Sequence, residues 1–144
     1  MNRASVPVPG AFLFHIAGAV GMRASLLSLE ITPDGPPSDA FGKYRLVRTR
    51  SGAGTLPAGD ALIYRCDASS PAAACTISGD GFSADWVEEL TLLTVFQRGT
   101  FQWFVAEGSP VLFGEDQGIG LVTVEQSTPF SINTSCRWVE DCHV

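Results

Sequence analysis

Apolar and polar residues alternate most regularly near the end of the chain. From Phe130, every second residue through Ile132, Thr134, Cys136 and Trp138 falls on one side, the two-residue period of a strand with one face on a core. The same period marks 41–49, FGKYRLVRT, with Tyr44 and Leu46 on one side and Lys43, Arg45 and Val47 on the other. In 22–32, MRASLLSLEIT, the residues Leu27, Leu29 and Ile31 share a strand face, although Leu26, Leu27 and Leu29 also fit a helix. Further strands are predicted at 61–66 (ALIYRC), near Cys75 to Ile77, and at 119–125 (IGLVTVE). The segment TFQWFVA, 100–106, is apolar on both alternating sides, which predicts a strand buried on both faces. Residues 86–97 stay open: Trp86, Leu90 and Leu93 have helical spacing, whereas Val87, Thr91, Thr94 and Val95 favour a strand.

Turn-forming clusters separate these pieces: PDGPPSD at 33–39, SGAGTLPAG at 51–59, GEDQG at 114–118 and QSTP at 126–129. Seven or eight short strands without an internal repeat predict an all-β antiparallel β-sandwich, with the jelly roll as one form of it. Residues 1–21 read as an extended N-terminal arm or a first short strand, because VPVPG holds the chain extended. Residues 22–144 then make a single domain, in which the last strand is followed by a short tail carrying Cys142.

Composition supports a folded domain and narrows its partners. The 144 residues are 45% hydrophobic and 17% charged, too apolar for a disordered chain. The net charge of −6 opposes sequence-independent nucleic-acid binding and docking on an anionic membrane. The most apolar N-terminal run, 11–22, is broken by His15 and two glycines and falls short of a membrane span.

Candidate chemistry is sparse. The two histidines, His15 and His143, lack a catalytic signature around them and read as tolerated surface or arm residues. Acidic neighbours such as Glu88–Glu89 point to opposite faces of a strand and do not converge on a substrate. No catalytic, cofactor-binding or metal-binding set is predicted, and the expectation is a protein that is not an enzyme. KYRLVRTR places Lys43, Arg45, Arg48 and Arg50 on one strand, which reads either as a solvated sheet edge or as a contact for an acidic partner. Four cysteines remain, Cys66, Cys75, Cys136 and Cys142, without the close spacing of a zinc knuckle. Bridges within the local couples Cys66–Cys75 and Cys136–Cys142 would stabilise by about 2–3 kcal/mol each. Four reduced thiols, or a bridge from Cys142 to a neighbouring chain, are the alternatives.

Several stretches occur in a suggestive order: SLLSLEITP (25–33), YRLVRT (44–49), ASSPAAACT (68–76), RGTFQWFVAEG (98–108), GIGLVTVEQ (118–126) and CRWVE (136–140). Together they resemble small β-rich virion proteins of tailed bacteriophages. That resemblance implies a structural protein of the virion, foremost a capsid cement (decoration) protein on the shell surface, which as a homotrimer bridges subunits of the major capsid protein. A tail or baseplate protein, with tail proteins as partners, is the alternative within that class. A carbohydrate-binding sandwich using Trp86, Trp103 and Trp138 is the alternative outside it, although the alternation places Trp103 and Trp138 in the core.

Overall fold

A computed structural model describes residues 9–35, 38–50, 75–78, 86–105 and 110–142. Among them are nine strands and no helix: β1 (Phe12–Ala17), β2 (Met22–Asp34), β3 (Phe41–Arg50), β4 (Thr76–Ser78), β5 (Trp86–Phe96), β6 (Phe101–Phe104), β7 (Val111–Phe113), β8 (Gln117–Gln126) and β9 (Ser131–Cys142). The larger sheet has the order β4-β1-β8-β3-β5, with every neighbour antiparallel. In the smaller sheet β2 pairs with β9 along one edge. Along its other edge β2 pairs first with β7, at Ala24–Leu26, and then with β6, at Ser28–Ile31, so these two short strands act as one interrupted edge.

The short connections β1–β2, β2–β3, β5–β6, β7–β8 and β8–β9 all pass from one sheet to the other. Strands adjacent in sequence are therefore seldom adjacent in a sheet, and the ladders join distant segments. The two sheets close on a common core. The larger contributes Phe14, Ile16, Tyr44, Leu46, Leu93, Val95, Ile119 and Leu121, and the smaller contributes Ala24, Leu26, Leu29, Ile31, Phe113 and Ile132. The opposite face of the larger sheet carries a second, small buried cluster of Phe12, Val47 and Val122. This explains why β8, between β1 and β3, is buried without interruption from Gly118 to Thr123.

Several local expectations change. Residues 86–96 are strand β5, not helix, because a ladder to β3 satisfies their backbone from Phe41↔Phe96 to Thr49↔Trp86. In β2 the register to β9 slips between Leu26 and Ser28. Leu27 is the inserted residue; it stands 48% exposed, and the buried side passes from Ala24 and Leu26 to Leu29 and Ile31. β6 is not buried on both faces: Phe104 is 70% exposed, on the side opposite Trp103, which packs on the core. Residues 139–142 do not leave the sheet, since β9 stays paired as far as Met22↔Cys142. The predicted strand at 61–66 lies outside the described residues.

Glycines permit two tight features where β1 turns into β2. Gly21 has φ of 74°, a left-handed conformation, which a side chain would strain. At Gly18 a Cβ would collide with the backbone carbonyl of Gly114, at the start of the β7–β8 turn. Backbone cannot move aside as a flexible side chain can. Gly18→Ala is expected to lower unfolding free energy by about 1–3 kcal/mol in urea titrations. Gly99→Ala, with open space around it, should change it by less than about 0.5 kcal/mol.

Candidate functional site: the outer face and free edge of the large sheet

The cations of β3 do not form a sheet edge. β3 is an interior strand between β8 and β5, and the sequence reading fails here because strand order is set by distant partners. Those partners bring acids to the cations. Lys43 Nζ lies 3.0 Å from Glu125 Oε1 on β8, Arg45 Nε lies 3.4 Å from Glu89 Oε1, and Arg48 Nε lies 2.9 Å from Glu88 Oε2, both acids on β5. The first two pairs are more than a third exposed and contribute at most about 1 kcal/mol each.

Arg48 is more enclosed and also donates to the carbonyl of Leu112 on β7. It thereby ties the two sheets together at one end of the sandwich. Beside it a cleft of about 760 Å³ is lined by Arg48, Arg50, Val87, Glu88 and Asp116 among others. Its volume is that of a ligand site, but Arg48 is already engaged by Glu88, Leu112 and Gln117.

Next to the paired cations stands a row of exposed and half-buried apolar groups. Phe41 and Phe96 meet as a tilted ring pair with centroids 6.5 Å apart. Lys43 Nζ sits 5.9 Å from the Phe41 centroid, and the Arg45 guanidinium 5.9 Å from that of Trp86. Phe96 is 62% and Leu92 52% exposed. On the outer face of the small sheet Phe104, Leu27 and Val139 are exposed as well. Trp103 and Trp138 pack partly buried against the core, and Trp86 alone of the three tryptophans is exposed.

His15 departs most from its expected surface position. It lies in β1, between β4 and β8, and is 3% exposed. Its Nε2 shares a 2.6 Å hydrogen bond with Thr49 Oγ1, and its ring meets Phe12 edge-on at 5.7 Å. Gly118 makes room for the pair: a Cβ there would lie 2.6 Å from His15 Nε2 and 2.7 Å from Thr49 Oγ1. Burial pulls the imidazole pKa from 6.5 down to about 4, because the charged ring cannot be hydrated there. The sequence signal for this was available in the glycines of GIG opposite an apolar strand. His143 lies outside the described residues.

Two of the four thiols, Cys75 and Cys136, are held protonated near neutrality. Cys75 and Cys136 are both free. Burial, reinforced by the Glu140 carboxylate, pushes the Cys75 thiol up to about 12, and burial does the same at Cys136, so neither offers a thiolate near neutrality. Cys136 is paired with Leu29 and Cys142 with Met22, on either side of the bulge in the same β2–β9 ladder. Six strand residues span roughly 20 Å, well beyond the Cα separation of about 7 Å that a disulfide tolerates, so the Cys136–Cys142 bridge is ruled out. Cys66 lies outside the described residues. Among the described residues no group of His, Cys, Asp and Glu is arranged to hold a metal ion, and no helix is long and apolar enough to cross a membrane. No family model, curated protein or solved structure matches the chain.

The His15 shift fixes a pH response. The folded pKa lies below the unfolded one, so the unfolded chain binds the extra proton. This contribution to stability is intact above pH 6.5 and is lost as pH falls towards 4, in total by about 3 kcal/mol. Urea titrations across that window should show the loss. His15→Gln should flatten the slope there, whatever it does to stability at neutral pH; an unchanged slope would refute the assignment.

Proposed function

We propose that this chain is a structural protein of a tailed-phage virion, a capsid cement protein that lies on the shell and bridges neighbouring major capsid subunits. The reading starts from the ordered set of strand motifs and the resemblance they carry. The observation that supports it best is the presence of exposed apolar side chains on both outward faces. Trp86, Leu92 and Phe96 stand on one, and Leu27, Phe104 and Val139 on the other. Exposed apolar groups gathered in patches mark contact surfaces, and a protein that joins two neighbours needs two of them. The homotrimeric state is a part of this reading that comes from the resemblance alone, and the jelly-roll form is one that the strand count first suggested.

Purified protein is expected to co-sediment with expanded empty capsids, and not with isolated tails; the reverse result would make it a tail protein. Phe104→Asp should weaken capsid binding by at least about tenfold, the effect of losing one aromatic anchor. Its melting temperature should stay near the parent's, since that side chain is largely outside the core.

A further inference from the structure

β5 closes one side of the large sheet, and among the described residues β3 is its sole strand neighbour. A free edge invites another strand unless it is protected by charge, bulges or cover. The two halves of β5 differ in this respect. In the first half the register to β3 skips Leu90 and Val87, giving two bulges. Glu88 and Glu89 add charge to the same half. The second half, from Thr91 to Phe96, has neither a bulge nor a charged residue nor a proline, and it exposes Leu92 and Phe96.

The direction of the backbone groups along this half follows from one hydrogen bond. Gln97 N donates to Ala40 O on the β3 side, continuing the register Phe41↔Phe96. In an antiparallel ladder the groups alternate in direction from residue to residue. The N–H groups of Leu93 and Val95 therefore face β3, and those of Leu92, Thr94 and Phe96 face the open edge.

We propose that this edge pairs with β5 of a second copy of the chain, antiparallel about a twofold axis at Thr94. In that register Thr94 exchanges hydrogen bonds with Thr94 of the other copy, and the Phe96 N–H of each copy meets the Leu92 carbonyl of the other. Leu92 then lies beside Phe96 on the outer face, and Leu93 beside Val95 on the core face, so apolar meets apolar on both.

The match of Leu92 to Phe96 and of Leu93 to Val95 in this register favours a second copy over an unrelated strand. The charges beside it do not oppose it, although Glu88, Glu89 and Arg98 already pair within their own chain with Arg48, Arg45 and Asp39. β5 carries Glu88 and Glu89 at its beginning and is followed by Arg98, which is 63% exposed in the turn that Gly99 N closes on Phe96 O. Antiparallel pairing brings the glutamates of each copy towards Arg98 of the other, twice by symmetry. Parallel pairing would set glutamates against glutamates. The contact is isologous and closes at two copies, so it is separate from any threefold contact and does not depend on the virion reading.

Light scattering of the purified protein tests the pairing directly. The expected mass is an even multiple of the 15.3 kDa chain. Thr94→Lys sets two cations against each other on the axis and should halve that mass while the circular dichroism spectrum and melting temperature stay near the parent's. Thr94→Cys places two thiols at a Cα separation of about 5.5 Å, within disulfide range. Under mild oxidation it should give a covalent dimer on a non-reducing gel that the parent does not give. A monomeric parent, a mass unmoved by Thr94→Lys, or failure of Thr94→Cys to cross-link beyond the parent would each overturn the proposal. Capsid co-sedimentation is scored independently, so the loss of one reading leaves the other standing.

Discussion

The ladder between β2 and β9 is the interaction on which the small sheet depends. It runs from Met22↔Cys142 to Asp34↔Ser131 and joins one of the first strands to the last. β6 and β7 are short and lean on the other edge of β2, so neither would hold its place without that strand. β2 in turn has no long partner except β9 among the described residues. The core face of the small sheet, with Leu26, Leu29, Ile31 and Ile132, is therefore assembled only when the C-terminal segment arrives. Closure of such distant segments carries a loop-entropy cost before any contact rewards it.

The same non-local pairing decides what could be read from the sequence. Alternation in 130–138 is a local property, and the burial of Phe130, Ile132 and Thr134 follows it. The two-residue period of 41–49 likewise gives Tyr44 and Leu46 to the core and Lys43 and Arg45 to the outside. Strand order is not local. Nothing in KYRLVRTR reveals that β8 and β5 flank it and bring Glu125, Glu88 and Glu89 to its cations. The bulge at Leu27 was hidden for a related reason, since it exists only relative to β9. His15 looked peripheral because its neighbours, Thr49 and Gly118, come from strands far along the chain.

Two of the long strands of the large sheet show how edge and interior are treated differently. β8 is interior and carries small residues, Gly118 and Gly120, where the side chains of His15 and Phe12 cross over it. Large residues at those positions would push the side chains of β1 outward and open the outer cluster of Phe12, Val47 and Val122. Among the described residues β5 is an edge, and its protection is uneven: bulges and glutamates occupy one half, whereas the other has neither and exposes Leu92 and Phe96. Unprotected edges in natural sheets are ordinarily used or covered, which gives that half a meaning the composition alone does not.

The charge balance bears on the kind of partner such surfaces accept. Four of the cations, Lys43, Arg45, Arg48 and Arg98, are already matched with Glu125, Glu89, Glu88 and Asp39. With a net charge of −6, the long-range field that remains is negative, and it slows the approach of nucleic acid or an anionic membrane. Two copies of the chain also repel at a distance, so a self-contact needs short-range terms to outweigh that repulsion. Backbone hydrogen bonds at an edge and the burial of Leu92 and Phe96 are short-range in this sense. They should therefore dominate once salt screens the net charge beyond about 8–10 Å, and association through β5 should strengthen as ionic strength rises, where a contact built on ion pairs would weaken.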